Sequence, residues 1–123
     1  MTAFECLAGL SLEWTGVHHS QGGDFTDLST HTVSYETDSE CYVTAAGKLV
    51  GEARYSYRRL DSRMAIVIYH PEIYQGRKGV VLYAMLDFDS VTDRAVILAD
   101  GEPFAVADGA FRVVDTPARP AAE

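Results

Sequence analysis

Polar and apolar residues alternate along most of this chain from about residue 30 onward, and Val, Ile, Tyr and Thr recur there. A period of two sends successive side chains to opposite faces of an extended strand, so the pattern predicts β-structure. Strands are expected over residues 30–36, 41–46, 52–60, 64–70, 79–88, 92–99, 104–106 and 111–114. Polar segments rich in Asp, Ser and Gly separate them, Thr37-Asp38-Ser39, Gly47-Lys48, Asp61-Ser62-Arg63, Asp89-Ser90 and Asp100-Gly101-Glu102-Pro103 among them, and these residue types favour turns. Helical periodicity is scarce. Residues 4–10 fit one short helical turn that plugs an end of the fold, and the polar, Gly-containing segment from His18 to Asp27 reads as an irregular loop.

Short strands joined by tight turns form a meander, and closing the meander into a barrel removes its exposed edges. The expected fold class is all-β: a single antiparallel β-barrel of about eight strands, wide enough for side chains or one small ligand. The barrel domain spans residues 1–115, and TPARPAAE, residues 116–123, reads as a flexible C-terminal tail.

Alternation also assigns faces. Between residues 52 and 60, Ala53, Tyr55, Tyr57 and Arg59 share one face, while Glu52, Arg54, Ser56 and Arg58 share the other, which reads as solvent. Buried phenols need hydrogen-bond partners, so the interior is expected to hold polar atoms. The next two long strands are apolar on both faces. Met64, Ile66, Ile68 and His70 oppose Ala65, Val67 and Tyr69, and Val80, Leu82, Ala84, Leu86 and Phe88 oppose Val81, Tyr83 and Met85. With little helix to cover a second apolar face, a homodimer through that sheet is expected.

The 123 residues fit one domain, and 47% hydrophobic content supplies a core for it. A net charge of −8 with no basic block argues against nucleic-acid binding. No apolar run is long enough to span a membrane, and the N-terminal stretch lacks the basic start of an export signal. Cys6 and Cys41 have neither disulfide-scaffold nor metal-ligand spacing. Reduced thiols in a cytoplasmic protein are the expected state.

AAGKLVGEARYSYRRL (45–60), MAIVIYHPE (64–72) and GVVLYAMLDFDSVTDRAVI (79–97) follow one another in an order that resembles the MoaF-like branch of the calycins, small lipocalin-type barrels. The same order is similar to phenolic acid decarboxylases. The resemblance implies a calycin-like barrel with a central cavity. The decarboxylase pattern has a carboxylate before its proline, where His70 precedes Pro71, and an Ala-Gly-Arg segment, where Ala46-Gly47-Lys48 stands. Its N-terminal tyrosine pair has no counterpart beyond Trp14. The resemblance therefore implies a similar cavity with different polar groups rather than that decarboxylation.

The expected function is binding of a small, partly aromatic metabolite in the lumen. Trp14, Tyr55, Tyr57, Ile66, Ile68, His70 and Tyr83 are expected to line the site, and Lys48 or Arg59 to meet an anionic group on the ligand. The alternative is a cofactor-independent acid–base enzyme, a lyase, isomerase or cyclase, in which His70 is the base and Tyr57 the acid. An interaction module without a ligand is the third reading. No cofactor is implied. His18-His19 with Asp24 invites a metal reading, but adjacent histidines on a strand point apart and no third ligand follows at useful spacing.

Overall fold

A computed structural model describes residues 1–20 and 27–120. Its eight strands are β1 Ser11–Ser20, β2 Ser29–Tyr35, β3 Glu40–Ala45, β4 Lys48–Arg59, β5 Met64–Pro71, β6 Val80–Asp87, β7 Thr92–Ala99 and β8 Glu102–Val114. Each pairs antiparallel with the next, and β8 returns to pair with β1, closing the barrel. The all-β antiparallel barrel of about eight strands is therefore the observed fold. The turns between β3 and β4 and between β7 and β8 place both central residues in the left-handed region, Ala46-Gly47 (φ 52° and 78°) and Asp100-Gly101 (φ 51° and 78°), as two-residue hairpins matched to strand twist require.

Two elements differ from the expected ones. β1 falls where the expected strand pattern had not begun, because its inward positions are Leu12, Trp14, Gly16 and His18, two of which are not apolar. β8 is one strand of 13 residues where two short ones were expected. Its interior holds Asp108 and Gly109, which resemble a break but pair directly with Val17 and Gly16.

The two ends of the barrel are unlike. Residues 1–10 cross beneath the lower end without forming a helical turn, and still plug it. Ala3 and Leu7 are buried there, Phe4 packs edge-on against Phe88 at 5.5 Å, and the Ala3 amide donates to the Ser62 carbonyl at 2.9 Å. Leu86, Phe88, Phe111 and Ala65 complete that floor. The segment expected as a tail lies, as far as Pro120, against the outside of β2–β4. The Tyr42 hydroxyl donates to the Pro117 carbonyl at 3.0 Å, and Arg119 stacks over the Tyr42 ring and bonds Glu36 and Glu52. Residues 121–123 lie outside the described residues.

Candidate functional site

The upper half of the barrel holds a cavity of about 320 Å³, at the small end of the ~300–1,000 Å³ typical of ligand sites. Small inward residues make the room: Gly51 and Ala53 on β4, Ala84 on β6, Ala95 on β7 and Ala107 on β8 all line it. Trp14, His18, His31, Tyr69, Tyr74 and Asp93 supply its aromatic and polar wall.

Trp14 is set by two glycines. Gly16 and Gly109 pair across β1 and β8. A Cβ on Gly109 would stand 2.5 Å from Trp14 Cε2, and one on Gly16 would stand 2.6 Å from Trp14 Cζ2. The indole therefore lies over bare backbone and reaches β7, where its Nε1 donates to the Asp93 carbonyl at 3.0 Å. His31 tilts over the indole at 5.0 Å between centroids, and His18 meets it edge-on at 5.3 Å. Burial lowers the pKa of both imidazoles, that of His31 to about 4 with His18 adding to the effect. Both are neutral near pH 7.

Asp93 faces this lumen from β7. Burial pushes its pKa up to about 7, and no other cause contributes. Among the described residues no side chain or backbone group donates to its carboxyl oxygens, and they stay open to the cavity. Partial burial of a carboxyl without a donor disfavours its charged form. Perturbed acids of this kind cluster at functional sites.

Opposite stands a phenol pair. The Tyr35 and Tyr69 hydroxyls lie 2.5 Å apart, and the Asp93 carboxylate raises the pKa of both, after the larger effect of burial. Tyr35 is 2% exposed, and among the described residues its hydroxyl bonds only Tyr69; either hydroxyl can be the donor. When Tyr35 donates, the hydrogen of Tyr69, which lines the cavity, is left for the lumen. Asp93 and Tyr69 thus stand in the lumen wall as a carboxyl acceptor and a hydroxyl, beside the polar side chains of His18, His31 and Tyr74.

Of the residues expected from the sequence, Trp14 lines this cavity. Tyr55 and Tyr57 point inward as expected, but their hydroxyls are taken up at the closed end, donating to the Thr37 carbonyl at 2.5 Å and the Phe4 carbonyl at 2.6 Å. Burial pushes each phenol up to about 12. Arg59 pairs with Glu5 beside the plug, and Lys48 is exposed at the β3–β4 turn. Neither lines the cavity, and among the described residues no Lys or Arg does.

His70, Ile66, Ile68 and Tyr83 are corrected outright: they face outward. Ala65 and Val67 are fully buried and Tyr69 lines the lumen, so alternation turns Ile66, Ile68 and His70 to the exterior. Tyr83 is exposed beside Ile68, its cross-strand partner. The face carrying more apolar bulk on β5 is thus the outer one. His70 is exposed, so the base–acid pairing of His70 with Tyr57 has no lumenal geometry.

His18 and His19 occupy successive positions of β1, one buried and one exposed. Asp24, the third member of the metal reading, lies outside the described residues. Among the described residues no three His, Cys, Asp or Glu side chains gather as a metal set. Asp87 is held by Arg63, with Arg63 Nε 2.9 Å from both carboxyl oxygens. Cys41 is buried on the lumen side, and burial pushes its thiol up to about 12, which keeps it protonated.

His31, Tyr69 and Asp93 were missed for identifiable reasons. Tyr69 shares with Ala65 and Val67 the face of β5 opposite Ile66, Ile68 and His70, the residues expected to line the site, and Asp93 sits two residues into a strand beside a polar turn. The available signal was alternation on β7, which places Asp93 on the face of Ala95 and Ile97. No family model, no curated protein and no solved structure matches the chain.

Proposed function

We propose that this barrel binds a small, partly aromatic molecule in its lumen, in the manner of the MoaF-like barrels that its β4–β7 sequence resembles. One observation carries the reading: Asp93 presents a carboxyl with no partner among the described residues to a cavity whose walls are mostly apolar and aromatic. A ligand that donates to Asp93 and accepts from Tyr69 removes an unsatisfied group while burying its ring against His31, Tyr69 and Tyr74. The test is native mass spectrometry of the protein purified from its own host, beside an Ala107→Trp variant that fills the lumen. A bound mass present in the natural protein and missing from the variant supports the site. A mass retained by the filled variant contradicts it.

A second reading, cofactor-independent acid–base catalysis, is favoured by the same carboxyl. An acid titrating near 7 can take and return a proton at neutral pH, and the Tyr69 hydroxyl can steady developing charge on a substrate oxygen. The roles given to His70 and Tyr57 pass in this reading to Asp93 and Tyr69. Asp93→Asn would abolish turnover by such an enzyme yet leave a neutral ligand bound.

We also propose that the chain pairs with a second copy through the outside of β5–β8. Ile68, Tyr83, Val96 and Val106 form one cross-strand row there, and Tyr83, Met85, Val96 and Val106 are 44%, 52%, 49% and 42% exposed. A contiguous exposed apolar row on a chain of net charge −8 is the feature that favours burial against a like surface.

A further inference from the structure

Charge accounting inside the lumen narrows the ligand class. Among the described residues, two carboxylates line the cavity. Glu52, at the mouth, is paired with Arg119; Asp93 is not paired with any described group. Among the described residues no Lys or Arg lines the wall, and the two imidazoles are kept neutral by burial. An anionic ligand would meet no counter-charge and would be repelled by Asp93. A neutral ligand would leave the carboxylate without a cation. A protonated amine supplies both the charge and the hydrogen-bond donors that this carboxylate lacks, and such charge-assisted bonds are the stronger kind. The remaining wall is mostly apolar and includes the rings of Trp14, His31, Tyr69 and Tyr74, which suit a ligand bearing a ring, and aromatic faces attract ammonium groups as well.

We infer that the lumen takes a small arylalkyl amine, its ammonium on the Asp93 carboxylate and its ring against His31, Tyr69 and Tyr74. The inference rests on the lumen-binding reading above and adds the charge of the ligand to it. The cavity volume fits a single ring with a short chain. Among the described residues, the titratable groups that act on Asp93 or share the lumen with it are Tyr35 from β2, Cys41 from β3, Glu52 from β4, Tyr69 from β5 and Tyr74 beyond it, with His18 and His31 beside the indole. The phenols and the thiol are protonated and the imidazoles neutral near pH 7. Ionisation of Asp93 therefore governs how binding varies with pH.

Trp14 is the single tryptophan and stands in the lumen wall, so its emission reports occupancy. The full chain is titrated with phenethylamine, phenethyl alcohol and hydrocinnamate, three probes of one shape and different charge, at pH 6 and pH 8, and again in Asp93→Asn. The expected result is amine binding at least about tenfold tighter than either other probe, and a loss of about 10–100-fold in Asp93→Asn. With Asp93 titrating near 7, the amine should also bind about tenfold tighter at pH 8 than at pH 6. Equal or tighter binding of the alcohol or the acid overturns the amine class while keeping the lumen site. No response to any of the three overturns both. Comparison of the probes on the natural protein decides the matter even if the variant fails to fold.

Discussion

The indole of Trp14 lies directly on Gly109, so close that a single methyl there would stand 2.5 Å from ring carbon Cε2. That contact joins the fold to the site. It lets the ring cross from β1 over β8 and donate to the Asp93 carbonyl on β7, which fixes the backbone from which the lumenal carboxyl projects.

Gly109→Ala is expected to destabilise the barrel by about 3 kcal/mol, as overpacking without room to relax does. The new methyl also meets the Thr15 carbonyl at 2.5 Å, so a rotation of the ring alone cannot relieve it. Denaturant unfolding gives the free energy, and red-shifted tryptophan emission should accompany it. A variant as stable as the natural chain would contradict the packing.

The phenol pair predicts an asymmetry. Tyr35→Phe removes the Tyr35–Tyr69 bond but leaves the Tyr69 hydroxyl at the cavity, and should cost about 1 kcal/mol. Tyr69→Phe strands the buried Tyr35 hydroxyl and should cost about 2–3 kcal/mol. The double variant leaves no orphan and should cost less than the two single losses added together. Additive losses in unfolding experiments would show that the hydroxyls do not depend on each other.

Asp93 and His31 act on stability in opposite senses. Between about pH 4, where an unfolded aspartate ionises, and about 7, where Asp93 does, the unfolded chain releases a proton that the folded protein keeps. Asp93 therefore lowers stability as pH rises, by up to about 4 kcal/mol. His31 is protonated near pH 5 only when unfolded, because burial holds its folded pKa at about 4. It raises stability with pH up to about 6.5, by about 3 kcal/mol. The two offset each other in the natural chain. Relative to it, Asp93→Asn should gain stability as pH rises from about 4 to about 7, and His31→Gln should lose it up to about 6.5. Unfolding curves across that range read both slopes.

The outer apolar row predicts that Tyr83→Glu, or Val96→Glu, converts a dimer to a monomer and leaves the fold intact, because both side chains point away from the core. Native mass spectrometry reads the change. A natural chain that is monomeric at every concentration would contradict the proposed pairing.

How much of this was legible in the sequence follows from what each element buries. β4 alternates cleanly because its outward positions are charged, and Ala53, Tyr55 and Tyr57 were assigned inward correctly. β5 and β6 are apolar on both faces, so periodicity carries no information about which side is the lumen. The larger residues Ile66, Ile68 and Tyr83 proved to be outside. β1 was hidden because Gly16 is needed beneath Trp14, and β8 was split because Gly109 is needed there too. Asp93 was unreadable for a different reason. A carboxylate near a turn usually faces water, and only closure of the barrel turns this one inward.

The most direct test of the account is the ionisation of Asp93, followed by NMR of the aspartate side-chain carboxyl carbons as pH is varied. One aspartate should titrate near 7. Its signal should be missing from Asp93→Asn, and its midpoint should fall when phenethylamine is bound. If every aspartate of the folded protein titrates below about 5, as solvated or ion-paired carboxylates do, Asp93 does not stand unpaired in the lumen, and the proposed site falls with it.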